Sequence, residues 1–357
     1  MRSFKSLEEL QRGLDAVGAD DTVARYMLEN ARPTLTLLRN PLADDKYPVG
    51  GSKFGGDPDL PNDMDWPMRP AYPDAEERRR KLQEAVEEWE SDGNSDLAAE
   101  DRELMRLVGE PFPLSFVCQL DLAALSREGG AFFHPLLPKE GRLLVFVDEI
   151  AWQQGDEVSD RVAMRLIWHN APREQLTRCS APEPLVRWHE AFKPGPEAPR
   201  WNDLTLTSWF TPEPVYTIPD IGIVDILESE SFTDLYRDTV QKLEALPVHE
   251  DPDHPPRGSN FGDQLGGWEE QLQHSLQVQA QLNFHGADLD EMQESDAERL
   301  LEGSPEWKLL LCIGCEVWSG TRTLLGHSPD GLLYVMMRDR DVEARRFENA
   351  WMIEQST

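Results

Sequence analysis

The chain of 357 residues carries 67 acidic and 35 basic residues, a net charge of −32 at pH 7, and 39% of it is hydrophobic. This composition supports a globular core and excludes a wholly disordered chain. An acidic surface repels phosphate backbones and anionic lipids, so we expect neither nucleic acid nor membrane partners. No apolar run approaches the roughly 20 residues of a membrane span, and the first residues lack a signal-peptide core, which predicts a cytoplasmic protein.

Two amphipathic helices are predicted at the N-terminus. The first covers 4–17, where Ser6 and Glu9 have the spacing of a capping box. The second covers 21–31 and ends before Pro33, after which residues 34–39 read as a strand.

A stretch rich in Gly and Pro follows at 50–67, and it predicts an ordered loop or a short edge structure. Residues 72–106 are rich in charge, with a break in the middle, and predict an exposed helical hairpin inserted between core elements. The later elements are three buried or half-buried strands at 113–122, 141–149 and 161–170, a proline-rich divider or surface loop at 181–200, a helical stretch at 221–246 and a loop at 248–258.

An internal repeat is suggested by three pairs of similar segments in the same order. The segment GSKFGGDPDLP from Gly51 resembles GSNFGDQLGGW from Gly258, which aligns Phe54 with Phe261. The strand-like runs at 115–122 and 308–315 form the second pair, and those at 140–149 and 330–339 form the third. Two copies are too few for a solenoid, so the repeat predicts one pseudo-symmetric fold in which each sheet covers the other.

The same residues resemble the YwqG-like family, a bacterial family of unassigned molecular function. The similar pieces are GGDPDLP with Trp66-Pro67, PLSFVCQLDL, LPKEGRLLVFVDE, GDQLGGWEEQLQ, WKLLLCIG and DGLLYVMMRDRDVEARRFENAW, which together span most of 45–351. The chain departs from the family in its longer insert at 72–106 and in Asp263, where relatives often carry His. The genes of some relatives lie near secreted-toxin genes, which suggests an immunity-type role.

The resemblance and the repeat together predict an α+β fold that is internally duplicated. We expect two pseudo-symmetric units of sheet and helix, at about 45–180 and 250–351, in one compact domain spanning 1–357. N-terminal helices and the inserted acidic hairpin complete this fold.

No metal site or cofactor is expected. Cys312 and Cys315 have C-x-x-C spacing, but they lie in an apolar strand without two further ligands at zinc spacing, so we favour buried strand residues. The sequence HEDPDH at 249–254 is the one dense group of ligand-type side chains, and its prolines favour an exposed loop. The signature motifs of P-loops, serine hydrolases, zinc proteases and dinucleotide sites are absent.

Three carboxylates are the candidates for acid–base chemistry. Asp121 follows one predicted strand, and Asp148 and Glu149 end another. Charged groups at strand ends can face a crevice, where a pair of carboxylates could exchange protons. The alternative, which we favour, is that Asp121 caps a helix and Asp148 fixes a hairpin.

Candidate binding residues fall into two groups. Trp66 and Trp268 lie in the two Gly-rich segments, where their rings either line a groove or cover the core. The acidic segments 72–106 and 284–306 follow those Gly-rich segments, and pseudo-symmetry could place them on one face. Their representatives are Glu87, Glu88, Asp288, Asp290 and Glu291.

The function favoured by these patterns is non-enzymatic binding of a basic protein partner, as an inhibitor or immunity factor. The charge, the paired acidic segments and the absence of catalytic signatures favour it. The alternative is an enzyme or small-ligand-binding protein with its site at the seam between the two repeats. A packed apolar seam would count against that alternative, whereas a cleft there would favour it.

Overall fold

The computed structural model describes residues 3–43, 46–151, 155–192, 206–246, 262–289, 292–314, 316–317, 322–323 and 331–356. The helices are α1 (Leu7–Val17), α2 (Asp21–Asn30), α3 (Ala75–Ser91), α4 (Ser95–Leu107), α5 (Leu122–Gly129), α6 (Glu183–Ala191), α7 (Ile221–Leu227), α8 (Glu230–Glu244), α9 (Leu276–His285), α10 (Glu294–Leu301) and α11 (Asp339–Glu343). None of these described helices is both long and apolar enough to span a membrane.

The strands are β1 (Ser3–Phe4), β2 (Arg32–Ala43), β3 (Lys53–Gly55), β4 (Asp59–Pro61), β5 (Met68–Arg69), β6 (Phe112–Pro113), β7 (Ser115–Asp121), β8 (Arg142–Val147), β9 (Met164–His169), β10 (Leu176–Arg178), β11 (Leu206–Thr217), β12 (Gln264–Leu265), β13 (Trp307–Gly314), β14 (Glu316–Val317), β15 (Arg322–Thr323), β16 (Leu332–Arg338) and β17 (Trp351–Gln355). The chain is therefore a mixed α+β protein, as the sequence predicts.

A single antiparallel sheet organises the fold. Its order is β17-β16-β13-β12-β2-β11-β3-β7-β8-β9, and β1 adds to β11. The two long strands β2 and β11 lie at its centre, paired along twelve residues from Arg32–Thr217 to Ala43–Leu206. The sheet is nearly closed, because the two end strands approach each other: the Met352 amide in β17 lies 3.2 Å from the Met164 Sδ in β9.

The main core takes buried side chains from β2, β7, β8, β13 and β16, and α5 and α9 add Leu125 and Leu276. On β8, Val145 belongs to this core, whereas Leu144 and Phe146 on the opposite face are covered by Leu60 and Leu114. The N-terminal helices and α8 form a separate cluster around Leu10, Leu14, Met27 and Tyr236.

Several predicted elements are confirmed. Ser6 caps α1 by accepting a hydrogen bond of 3.1 Å from the Glu9 amide. Residues 72–106 contain the hairpin of α3 and α4, and the strands predicted at 113–122, 141–149 and 161–170 are β7, β8 and β9.

Two expectations about local structure were wrong. The proline-rich stretch 181–200 contains α6, which begins after Pro182 and accommodates Pro184 in its first turn, where an amide hydrogen is not needed. The Gly-rich segment contributes β3, which lies between β11 and β7 well inside the sheet and not at its edge. The helical stretch predicted at 221–246 is confirmed and comprises two helices, α7 and α8, separated at 228–229.

The sequence analysis missed β11 because Pro212 and Pro214 argue against a central strand. The register explains how they fit. The Phe210 amide donates to the Ser52 carbonyl, on the side of β11 away from β2, and the backbone nitrogens of residues 212 and 214 face that same side. On that side, among the described strands, β3 pairs with β11 only at 207–209 and β1 only at 216–217. No described strand therefore needs a hydrogen-bond donor from either proline.

The position of Gly267 leaves no room for a larger residue. Its φ is +84°, and a Cβ atom there would lie 2.0 Å from the Thr34 Oγ1 and 2.7 Å from the Thr217 Oγ1, beside the central strands. Gly18, at the end of α1, has a φ of +63° but open space around it.

We therefore expect Gly267→Ala to destabilise the protein by more than about 2 kcal/mol, and Gly18→Ala by about 1 kcal/mol. The first substitution adds a steric clash to the backbone cost that both share. Urea unfolding monitored by tryptophan fluorescence measures the difference. Equal effects in the two variants would show that the close approach of Gly267 to the central strands is wrong.

Candidate functional site

The three candidate carboxylates do not converge. Asp121 ends β7 and lies opposite Arg142, whereas Asp148 follows the far end of the paired strand β8. With about 3.4 Å per residue, the two positions are about 20 Å apart along the sheet. Asp121 caps α5 by accepting a hydrogen bond of 3.2 Å from the Ala124 amide.

Asp148 and Glu149 enter two different buried networks. The Asp148 carboxylate accepts hydrogen bonds from the Arg69 Nε and, at 2.8 Å, from the Tyr72 hydroxyl. Burial, with the Asp148 charge, raises the pKa of Tyr72 well above its usual value. The Glu149 carboxylate lies 2.9 Å from the His189 Nε2 in α6. Burial raises the pKa of Glu149, and the nearby His189 opposes that rise.

These networks attach the α3–α4 hairpin to the sheet. Arg69 also donates to the carbonyl oxygens of Leu107 and Glu110 at the end of the hairpin. Arg78 in α3 donates to the Asp160 carboxylate at 2.7 Å from a side chain that is only 3% exposed. These buried ion pairs therefore stabilise the attachment of the hairpin.

The two tryptophans cover parts of the core and do not share a groove. The Trp66 ring packs edge-on against Phe146, and its Nε1 donates to the Leu114 carbonyl at 2.8 Å. Trp268 is 8% exposed, its Nε1 donates to the Asn30 carbonyl, and the Arg32 guanidinium lies 3.3 Å from its ring centroid.

The acidic candidates lie on or near exposed helices. Glu87 and Glu88 are exposed on α3, and Asp288 is exposed just after α9. Asp290, Glu291 and the whole 249–254 cluster lie outside the described residues, as do Phe261 and Cys315. Within the described ranges, no group of three or more His, Cys, Asp or Glu side chains is placed to hold a metal ion.

A cleft of about 600 Å³ lies where the two end strands of the sheet approach each other. We call it the seam cleft. Its walls come from the turn at 158–163, from β9, from the turn at 347–349 and from β17. Its apolar lining is Val162, Met164, Leu166, Ile167, Trp168, Phe347, Ala350 and Met352.

The segment before β9 closes one side of this region. The Gly155 carbonyl accepts a hydrogen bond of 3.0 Å from the Trp351 Nε1. Gly155 has a φ of +83°, and a Cβ atom there would lie 2.1 Å from the Met352 carbonyl oxygen. This close approach holds the two ends of the sheet together without filling the cleft.

The polar groups of the seam cleft are three arginines and one glutamate. Arg161 and Arg165 are half-buried, and burial lowers the pKa of both guanidinium groups. The Arg345 guanidinium lies 4.7 Å from the centroid of the Trp168 ring. Glu348 is exposed, and its backbone carbonyl accepts a hydrogen bond of 3.1 Å from the Arg161 Nη2.

The sequence analysis did not identify these residues as a site. It predicted a buried or half-buried strand at 161–170 and no site on it. The available signal was the arginines at 161 and 165 and the pair at 345–346, in a chain where acidic residues outnumber basic ones by 67 to 35.

Comparison with known families gives a match over most of the chain. A domain of unknown function, DUF1963, matches residues 52–355. The chain belongs to this family. YwqG-like proteins, which the sequence resembles, are members of it too. The matched range includes every residue of the seam cleft, the central strand β11 and the α3–α4 hairpin. A comparison with curated proteins finds no match.

The Asp148 network gives a prediction that separates a structural carboxylate from a catalytic one. Asp148→Asn leaves Arg69 buried without a counter-charge, so we expect a loss of about 3 kcal/mol in the free energy of unfolding. Asp121→Asn should cost less than about 1 kcal/mol, because asparagine also caps helices. Urea unfolding measures both. A neutral or stabilising effect of Asp148→Asn would instead mark a site residue held at the expense of stability.

Proposed function

We propose that this protein binds a small ligand in the seam cleft and does so without catalysing a reaction. The observation that carries the proposal is the cleft itself. It has a volume of about 600 Å³, lies between the two end strands, and has an apolar floor and a few polar groups at its rim. This volume and lining are typical of small-molecule sites. The carboxylates that could have supported catalysis are held in separate networks away from it.

The position of the cleft supports the alternative that places a ligand at the seam between two repeats. We infer that the halves are copies, because the strand order is the same from either end of the sheet. Equivalent pairs are β2 and β11, β3 and β12, β7 and β13, β8 and β16, and β9 and β17. Both β7 and β13 carry a register shift at matching places, between Phe116 and Cys118 and between Leu309 and Leu311.

The registers favour a different alignment of the Gly-rich segments from the one that pairs Phe54 with Phe261. Lys53 lies opposite Gln119, and Gln264 lies opposite Cys312, so Lys53 corresponds to Gln264 when β7 and β13 are superposed at the shift. This aligns GSKFGG at 51–56 with GDQLGG at 262–267. The last two glycines of each have positive φ angles, which supports the new alignment. A YwqG-like identity within the matched family fits this duplicated arrangement.

Filling the seam cleft should weaken ligand binding. We expect Ala350→Phe, which projects a ring into the cleft, to weaken binding of the neutral fluorescent dye Nile red by about tenfold or more. Ala16→Phe, on the exposed side of α1, adds the same ring elsewhere and should have no effect. Dye fluorescence during titration gives the affinity.

Val162→Trp, at a half-buried position on another wall, provides a second test if Ala350→Phe is poorly folded. Circular dichroism checks the fold of each variant. Unchanged dye affinity in a folded Ala350→Phe and a folded Val162→Trp would overturn the proposal.

A second candidate function is binding of a basic protein, as an inhibitor or immunity factor, through the acidic segments. One observation favours it: residues 155–158 contact both segments. Glu157 lies 3.8 Å from the Lys81 Nζ in α3, and Val158 lies beside Gly286, where an added Cβ atom would be 3.2 Å from the Val158 Cγ2. The two acidic segments therefore flank one short stretch of chain, as a shared face requires.

Charge reversal tests this second candidate. If the acidic face is specific, Glu87→Lys with Glu88→Lys should lower retention of basic partners from a cell extract by about tenfold at low salt. Glu8→Lys with Asp15→Lys on α1 changes the net charge by the same amount and should leave retention largely intact. Affinity capture followed by gel quantification at two salt concentrations compares them. Equal losses in both variants would indicate attraction by net charge alone and contradict a specific face.

A further inference from the structure

We propose that the ligand of the seam cleft is an amphiphilic anion, with a single carboxylate or phosphate head and an apolar body. The head would contact the arginines at 161, 165 and 345, and the body would lie on the apolar floor. This inference rests on the proposed ligand-binding function and adds the chemical class of the ligand.

The first argument is that the cleft arginines lack the carboxylate partner that four of the five described buried arginines have. Arg39, Arg69, Arg78 and Arg338 are buried, and each pairs with a buried aspartate. The fifth, Arg142, donates instead to the backbone carbonyl oxygens of Gly50 and Ala171. Within the part of the chain that the structure describes, Arg161, Arg165 and Arg345 have no carboxylate within ion-pair distance. Three positive charges therefore line one cleft of a protein whose net charge is −32, and the overall composition does not explain this grouping.

The hydrogen bonds of these arginines orient them and leave their charge unbalanced. The Arg165 Nη1 donates to the Met164 carbonyl at 2.7 Å, and the Arg161 Nη2 donates to the Glu348 carbonyl. A guanidinium group has five N–H donors, so each retains donors for an oxyanion. At the half-buried Arg161 and Arg165, a charge-assisted bond to such an anion is strengthened because less water competes.

The backbone of Arg345 gives an independent argument. The Arg345 amide donates to the Val342 carbonyl and the Arg346 amide to the Asp341 carbonyl, which is the Schellman arrangement at the end of α11. Its C′ position, usually glycine, is occupied by Arg345 with a φ of +57°. No other described non-glycine residue has a positive φ. An unfavourable backbone conformation is thus retained where the side chain lies over Trp168.

The remaining charge of the cleft sets its preference among anions. Glu348 is the one acidic residue among the lining residues, so three arginines and one glutamate give a local charge of +2. The rest of the protein is strongly negative and repels extended polyanions. A compact head joined to an apolar body avoids that repulsion and gains from burial of the body.

The test compares probes that share one tail: decanoate, decyl phosphate, decanol and decylammonium. Titration calorimetry below their micellar concentrations measures their affinities for the full-length chain. We expect decanoate or decyl phosphate to bind about tenfold to a hundredfold more tightly than decanol, and decylammonium to bind most weakly. Equal affinity for the anions and decanol, or a preference for decylammonium, would overturn the anionic class.

Arg345→Gly is the decisive variant, because glycine suits the αL position. It should lower affinity for the preferred anion about tenfold, leave affinity for decanol unchanged, and keep or raise the melting temperature. Arg165→Gln should also weaken anion binding. Arg187→Gln, on the exposed side of α6, removes one positive charge outside the cleft and should have no effect.

The outcomes distinguish the two proposals. If decanol and Nile red bind but anions gain nothing, the ligand-binding function stands and the anionic class fails. If no probe binds, both fail. If anions bind with the same affinity to Arg345→Gly and Arg165→Gln, they bind outside the cleft and the inference is again overturned.

Discussion

The antiparallel pairing of β2 with β11 is the interaction on which the rest of the structure depends. Twelve residues of each strand pair in one continuous register. All other strands of the large sheet extend outward from this pair, β12 from β2 and β3 from β11. A short Gly-rich strand thus attaches to each long strand, and each brings a run of apolar strands that curls toward the other end. The narrow gap between β9 and β17 is a consequence of that geometry.

Buried charge is used selectively in this acidic chain. Asp148, Asp160 and Asp263 each receive an arginine that joins a loop or helix to the sheet. Such pairs offset the high cost of removing each charge from water, although they add little net stability over an apolar contact. The arginines of the seam cleft lack this balance, which is why the cleft stands out more clearly in charge than in shape.

The sequence predicts the elements whose side chains carry a regular pattern. The capped helix at Ser6, the charged hairpin and the apolar strands β7 and β8 follow from local periodicity and capping. β11 could not be predicted in this way, because Pro212 and Pro214 are acceptable only where neighbouring strands leave a gap. The short β3 was equally hidden, since its pairing depends on a strand more than 150 residues later.

The seam cleft was beyond prediction for a related reason. Its walls are local sequences about 190 residues apart, and they become neighbours only because the sheet curls. Arg161 and Arg345 have no sequence relationship that would link them. The candidate carboxylates failed to converge for the opposite reason. Asp121 and Asp148 follow two successive strands, but antiparallel pairing places the carboxyl ends of successive strands at opposite ends of the strand direction.

Each short strand pairs with the long strand from the other half of the chain, β3 with β11 and β12 with β2, and this has a consequence for synthesis of the chain. β3 pairs with β11 and not with β2, so the first half emerges from the ribosome without the strand that completes its sheet. About 160 residues separate the end of β2 from the start of β11, which corresponds to roughly 10–30 seconds of translation. During that interval the apolar strands β7, β8 and β9 can form a meander, but β13 and β16, which share its main core, have not yet been made. The nascent first half is thus an open sheet that depends on its own C-terminal half, or on a chaperone, to cover it.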